Sequence, residues 1–580
     1  MNNFYTDEIN AQIILALLKA HGIRKVIASP GATNVVLVTS MQNDSFFEMY
    51  SAVDERSAAY MACGLAEESG EPVVISCTGA TASRNYAPGM TEAYYRKLPI
   101  LAITSAQFLA RIDHLIPQVI DRSVIQNDVA KLSVTLPIVN DENDKWDCEM
   151  KANKAILELK RHGGGPVHIN LPTRYSKKFD VKTLPEYRIL DRITLTDDFP
   201  SLPKGRIGIL VGSHKEFTES QTNSIDRFCE VNNGVVLCDH TSGYNGKYKV
   251  SLALISCQRG AHIPELKPDL TIHIGEVTGN YYYQKFIGAT VWRISEDGEI
   301  KDTFGKLKTI FEMPEDKFFD HFTNNDQVNK NTYLEGCKAF LTGIRGKMPE
   351  LPLSNPWIAS KISNRLPENS VVHFGILNSL RGWNFFDLPS SVKSACNVGG
   401  FGIDGCLSSL AGAALCNPEK LYFMVIGDLA FFYDMNIIGN RHIGKNIRIL
   451  LVNNGKGTEF RHSDHPAGHL GEVADEYVAA EGHFGKKSKT LVKNYAEDLG
   501  LEYLQASDKN TFMEVSERFL DPEIGDRSQI LEVFTTSDDE SLALETIMNI
   551  EENVKGKSVD LLRKVVGAKG IKKIKKVMRK

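Results

Sequence analysis

VIGDLAFFYDMN, residues 425–436, is the stretch whose reading decides the fold. The apolar run LYFMVI leads into Gly427 and stops at a carboxylate, Asp428. A short, continuous apolar run bounded by glycine is the pattern of a strand buried on both faces, as in a parallel sheet. A second such run, IRILLV, ends at Asn453 and Asn454, 25 and 26 residues after Asp428, and passes into the loop NNGKG. Parallel neighbours present their carboxyl ends along one edge, where open α/β sheets bind ligands.

The residue types at those two ends have a shared chemistry. A carboxylate oxygen from Asp428, the amide oxygen of Asn454 and the backbone carbonyl of Lys456 make half of an octahedral oxygen shell suited to Mg²⁺, with phosphate and water completing it. The expected guest is a diphosphate, and Gly455 and Gly457 permit close backbone approach. Read singly, Asp428 is a helix cap and the asparagines an ordinary turn. The pair, each member after a strand, carries the reading.

The same pattern repeats outward along the chain. KVIASPG, PVVISCTG, LPILAITSA and GPVHINLP read as strands, separated by helical stretches such as DERSAAYMACGLAEESG, whose apolar stripe closes on a glycine. GRIGILVG, NGVVLCDH, PDLTIHIG and ATVWRIS form a second set; SVVHFG, KSACNVGG, KLYFMVIGD, NIRILLVNN and QILEVFT form a third. The expected fold class is α/β, with three consecutive parallel-sheet domains over residues 1–180, 200–335 and 350–550, followed by a basic tail at 551–580. Charged, weakly periodic stretches at 177–203 and 311–356 read as a linker and a mixed region. The first and third units are expected to share a fold.

At 580 residues, 42% hydrophobic and 24% charged, the chain can bury a large core, and its length favours three domains over one. The start, MNNFYTDEIN, lacks the regions of a secretion signal, and nowhere do about eighteen apolar residues run together, so a cytoplasmic location is expected. Ten cysteines scattered singly argue against a disulfide framework. From Lys555 onward eleven Lys/Arg against one acid, Asp560, give +10, so the net charge of −5 leaves −15 on residues 1–554. Such a body repels nucleic acid. The tail LLRKVVGAKGIKKIKKVMRK reads either as a basic amphipathic helix able to touch a membrane surface or as a solvated end.

The GD and NN pair resembles the diphosphate and magnesium motif of thiamine-diphosphate-dependent enzymes. DERSAA, TEAYYRKLP, LNSL, GIDG and GDLAFFYDMN are similar, in order, to segments of one family among them, the 2-succinyl-5-enolpyruvyl-6-hydroxy-3-cyclohexene-1-carboxylate synthases of the menaquinone pathway. The resemblance implies a pyrimidine-binding first domain closed by HINLP, a central domain and a diphosphate-binding third domain, with thiamine diphosphate and Mg²⁺ as cofactors. It places the cofactor-activating glutamate on Glu55, where partial burial would strengthen a charge-assisted hydrogen bond. Read alone, Glu55 is a helix N-terminal acid beside Arg56. Ile403, in GGFGIDG, falls where a bulky side chain supports the bent cofactor, and Phe401 where a backbone carbonyl meets its amino group. Gly427, Asp428, Leu429, Asn454, Lys456 and Gly457 would line the diphosphate. Because such cofactors sit between domains of different subunits, a homodimer or homotetramer is implied.

The resemblance breaks on the substrate side. Thr33 stands in the loop SPGATNVV where an arginine is expected, Gln107 replaces another, Val398 a third, and a basic pair gives way to residues near Tyr281–Tyr283. Arg381 is close to a family arginine but out of register, and Gln118 in IPQVID matches a substrate-side glutamine. Bidentate arginine-to-carboxylate pairing is hard to replace with neutral groups, so a less cationic, more aromatic pocket is expected. The block FRHSDHPAGH puts His462, His465 and His469 just past the NNGKG loop, with imidazoles able to move protons.

The expected function is a carboligase or decarboxylase that decarboxylates a 2-oxo acid and adds the resulting enamine to a carbonyl acceptor. A small donor such as pyruvate and a sugar-like acceptor, as in cell-surface glycan synthesis, suit the altered pocket. Rival readings are the synthase reaction itself, a simple decarboxylase, and a non-catalytic thiamine-diphosphate-binding subunit; retention of Glu55, Asp428 and Asn454 together weighs against the last.

Overall fold

A computed structural model describes residues 4–323, 331–462, 465–483 and 487–551. The tail, from residue 552, lies outside them. The chain forms two compact units, residues 1–198 with 297–312, and residues 199–296 with 313–580.

In the first unit β1 (Lys25–Ala28), β2 (Glu48–Ser51), β3 (Val73–Thr78), β4 (Ile100–Ala106), β5 (Leu132–Thr135) and β6 (Val167–Pro172) make one sheet. Its order is β2-β1-β3-β4-β6-β5, and every pairing is parallel. Ile13, Leu17, Val74, Leu101 and Ile169 fill the core on one face, and Ala58, Ala62, Ile75, Cys77 and Ala102 that on the other. The helix Glu55–Ser69 begins on an Asp54 side chain that accepts from the Ser57 amide and stops at Gly70, whose φ of 67° suits glycine. Its buried alanines let the helix Ala87–Arg96 come so close that a Cβ at Gly89 would lie 2.5 Å from that of Ala59. A short strand, β7 (Asp191–Ile193), occupies the expected linker.

The second unit holds two sheets. β8 (Ile207–Val211), β9 (Gly234–Cys238), β10 (Lys249–Ser251), β11 (Leu270–Ile274) and β12 (Thr290–Ser295) run in the order β10-β9-β8-β11-β12. β13 (Leu307–Glu312) belongs to the first unit, where it pairs in parallel with β7. β14 (Val371–Phe374), β15 (Lys393–Cys396), β16 (Tyr422–Gly427), β17 (Ile447–Asn453), β18 (Glu502–Ala506) and β19 (Gln529–Phe534) form the last sheet, in the order β15-β14-β16-β17-β19-β18 and all parallel. Numbered from its own first strand, this is the order of the first sheet, 2-1-3-4-6-5, so the first and last sheets share a plan, as expected of the first and third sets of strands in the sequence. In both, the order reverses between the first and third strands, the crevice where such sheets receive ligands. The mixed region at 311–356 contains the helices Glu315–His321 and Thr332–Gly346. Among the described residues no helix is long and apolar enough to cross a membrane.

Candidate active site

β16 and β17 pair in register up to Gly427 opposite Val452, so Asp428 leaves one strand at the level where the asparagines leave the other. Asp428 is 5% exposed. Its Oδ2 accepts from the Gly455 amide at 2.7 Å and its Oδ1 from the Leu429 amide at 2.9 Å. The two ends therefore meet through a hydrogen bond across 27 residues. Gly455 has a φ of +80°, a conformation strained for any residue with a Cβ. The Asn454 Oδ1 accepts from the Lys456 amide at 3.3 Å, which folds the loop over the strand ends. A Cβ at Gly427 would meet nothing within 4 Å, leaving its backbone open to a guest. A Cβ at Gly457 would lie 3.0 Å from the Phe460 ring and 3.3 Å from Leu429, so side chains pack closely on that side of it. The Lys456 ammonium turns away to Asp475, at 2.7 Å.

Burial pushes the Asp428 carboxyl up to about 6, more than the two amide donors pull it down, and the nearby Glu532 carboxylate adds to the rise. Glu540, fully buried, is pushed up to about 7 by desolvation, with Asp428 among the acids that raise it. Glu532 is raised by burial too, against hydrogen bonds from Asn453 and Tyr503. Around Asp428 the structure thus gathers buried acids, and the charges acting on it are negative. A cation would offset the charge of such a cluster. The donor set of carboxylate, amide oxygen and backbone carbonyl fits Mg²⁺, and the fit to a magnesium-held diphosphate follows from that imbalance.

Beside this site a cavity of about 390 Å³ is lined by Tyr281, Arg381, Glu459, Arg461, His462 and His465, among others. Arg381 faces Glu459 with both ends of its guanidinium, at 2.5 and 3.0 Å, and its Nη1 also donates to Asn378 Oδ1 at 2.7 Å. The Tyr281 ring lies 4.5 Å beneath it. Arg381, which the sequence places near the substrate, is thus paired with the chain's own Glu459 on the cavity wall. Tyr281 Oη accepts from the Leu377 amide at 3.0 Å, just past β14 and at the crevice. Leu377 has a φ of +67°, a strained conformation for leucine of the kind that persists at functional sites. His462 Nε2 meets Asn378 Oδ1 at 2.8 Å, whereas His465 Nδ1 accepts from the Ala467 amide, and His469 is exposed. Ile403 packs half-buried against the core of the last sheet, and Phe401, with a φ of +57°, sets its ring edge-on to Tyr281. Val398 is buried and apolar.

In the first unit Glu55 is half-buried at the start of its helix, close enough to Cys77 and Tyr86 for its charge to raise both. The Thr33 hydroxyl donates to the Ser105 carbonyl at 2.8 Å and accepts from the Gly79 amide, tying strand ends together. Gln107 Oε1 takes a hydrogen bond from Arg111 at 2.8 Å. Gln118 is exposed and has a φ of +62°.

Residues 10–130 match the thiamine pyrophosphate enzyme N-terminal TPP binding domain. Over 563 residues, 93% of this chain and 98% of the relative, the chain is 31% identical to a 2-succinyl-5-enolpyruvyl-6-hydroxy-3-cyclohexene-1-carboxylate synthase of Bacteroides fragilis. The chain belongs to this family of thiamine-diphosphate-dependent enzymes. A Phocaeicola vulgatus synthase of the same name is 32% identical over 560 residues, covering 93% of this chain and 98% of its own. A solved thiamine-diphosphate-dependent 4-hydroxybenzoylformate decarboxylase of Rhodococcus jostii covers 92% of this chain and 100% of its own, with a TM-score of 0.41 and 15% identity, too distant to bear on function. The enzyme's parallel sheets and its family agree with the expected α/β class. Sequence reasoning missed Asn378, Glu459 and Glu540 in this enzyme. Glu459 carries no signal beyond its place after NNGKGT, and Glu540 sits in the acidic first turn of a helix, where an acid is ordinary.

Proposed function

We propose that this enzyme decarboxylates a 2-oxo acid and joins the remaining acyl carbon to a carbonyl acceptor, using thiamine diphosphate held by Mg²⁺. The observation that carries the reading is the Gly455 to Asp428 hydrogen bond, which joins two strand ends around a buried carboxylate with a second acid, Glu532, acting on it. Asp428, Asn454 and the Lys456 carbonyl would hold the metal, with the open backbone of Gly427 and Leu429 against the diphosphate. When bound, the cofactor supplies a carbon nucleophile and takes up the electron pair left by departing carbon dioxide. Glu55 would hold a proton between its carboxylate and the N1′ atom of the pyrimidine. His462, fixed by Asn378, and His465 stand on the cavity wall, where an imidazole can pass a proton to an acceptor oxygen.

Three observations support a substrate pocket unlike that of the synthases. Arg381 is neutralised by Glu459, Val398 is apolar, and the Thr33 hydroxyl bonds main chain. Tyr281 and Tyr282 on the cavity wall favour a polyhydroxy, sugar-like acceptor, as in glycan synthesis, whose hydroxyls and apolar faces suit aromatic rings. The synthase reaction on isochorismate and 2-oxoglutarate is a second reading, supported by 31% identity along nearly the whole chain. A homodimer, or a homotetramer made of two such dimers, completes the site; the exposed side chains of Tyr60, Met61 and Tyr95 support burial against a second copy. For the basic tail we retain contact with anionic membranes, tested by sedimentation with vesicles.

Incubating the protein with thiamine diphosphate, Mg²⁺ and a panel of 2-oxo acids, with and without aldehyde acceptors, tests the reaction. Carbon dioxide release from at least one acid, and a ligated product when an acceptor is added, is the expected result. Release without ligation under every acceptor reduces the enzyme to a decarboxylase, and conversion of isochorismate with 2-oxoglutarate selects the second reading.

A further inference from the structure

Of the arginines buried among the described residues, Arg293 and Arg381 face carboxylates and Arg448 is held by three main-chain carbonyls, of Phe519, Asp521 and Glu523. Arg122 is different. It is 5% exposed, and its two hydrogen bonds go to neutral side chains: Nη1 to Thr104 Oγ1 and Nη2 to Asn170 Oδ1, both at 2.6 Å. No carboxylate among the described residues pairs with it; the ionisable groups acting on it are the Cys77 thiol, which burial pushes up to about 12 and so keeps neutral at ordinary pH, and the like-charged guanidinium of Arg84. Burial pushes its own proton affinity down to about 10. An uncompensated buried charge is unfavourable, and a fold that keeps one is holding it for a partner.

Its position says which edge that partner approaches. Thr104 lies near the carboxyl end of β4 and Asn170 near that of β6, and Nη2 would lie 3.5 Å from a Cβ placed on Gly79, just after β3. The same added atom would lie 3.0 Å from the Ser105 carbonyl, the group that accepts from Thr33. Arg122 therefore reaches, from the segment between β4 and β5, the neighbourhood that Thr33 leaves without a charge.

We propose that Arg122 is the carboxylate-binding residue of the first unit, a relocated guanidinium that receives the acid group of the 2-oxo substrate. This rests on the reading of the enzyme as one that acts on 2-oxo acids. Thr104 and Asn170 position the fork, leaving its remaining N–H groups for an anion.

The test uses the full chain with thiamine diphosphate and Mg²⁺ and two unreactive isosteres, oxamate for pyruvate and N-oxalylglycine for 2-oxoglutarate. Calorimetric titration should show one of them binding, and Arg122→Met should weaken it by about tenfold or more while Arg122→Lys retains part of it. The melting midpoint of unliganded Arg122→Met should equal or exceed that of the unaltered protein, because a charge without a partner has been removed. A structural arginine behaves oppositely, so a midpoint lowered by several degrees, or failure of the variant to fold, overturns the proposal. Binding of neither isostere, or equal binding by the variant, overturns it too. If no 2-oxo acid is turned over while Arg122→Met loses isostere binding, the reaction reading fails and the anion site stands. If turnover occurs and binding is unchanged, the reverse holds.

Discussion

Asp428 concentrates the chemistry of the site in one carboxyl group. Its proton affinity is raised in the fold to about 6, from an ordinary 3.8, and that of Glu540 to about 7 from 4.5. A raised carboxyl favours the protonated folded chain, so the stability each contributes is present below the ordinary value and is lost as pH rises through the raised one. For Asp428 the loss is on the order of 3 kcal/mol. Cofactor-free protein should therefore lose that contribution between about pH 4 and pH 7, and saturating Mg²⁺ with thiamine diphosphate should restore much of it, because the cation binds the ionised form. Melting curves across that range, with and without cofactor, check this. Asp428→Asn should flatten the pH dependence and weaken magnesium-dependent cofactor binding about a hundredfold; a variant with unaltered affinity would remove Asp428 from the metal shell.

The element that organises the mouth of the site is the segment from Asn453 to His462, clamped onto the helix Asn378–Trp383 by Arg381 and Glu459. Removing one member of a buried ion pair strands the other, so Arg381→Met should destabilise the fold by about 3–5 kcal/mol, and adding Glu459→Met should recover a large share. Denaturant unfolding of the single and double variants measures both; a single-variant loss under about 1 kcal/mol would make the clamp incidental. Elements of this kind are where sequence legibility ran out. The strands at the centre of the sheets, such as LYFMVI and IRILLV, could be read from uninterrupted apolar runs because helices cover both faces. The short edge strands β2, β5, β10 and β18 were not read, since three to five residues open on one side need no such run. Asp428 and Asn454 were legible because each follows a central strand. Glu459, Asn378 and Arg122 act through partners far away in sequence, at separations of 78 for Glu459 with Arg381 and 48 for Arg122 with Asn170, and no local pattern announces such pairs.

At the scale of the whole molecule, Glu55, proposed to activate the cofactor, and Asp428, proposed to hold its metal, stand in separate compact units. The proposed sharing of a cofactor between subunits makes these two residues complementary. Glu55→Gln and Asp428→Asn should each abolish turnover alone, yet a mixture refolded in equal amounts should regain about a quarter of normal activity, from hybrid dimers with one intact site. No recovery would show that both residues serve a site within one subunit. The pocket of buried acids around Asp428 has a physiological corollary. Without its vitamin-derived ligand the folded chain keeps like charges confined together, and its unfolded fraction rises accordingly. Cellular proteases act on that fraction, so a cell starved of thiamine should clear this enzyme faster than a replete one, and its abundance should track the nutrient with no change in transcription.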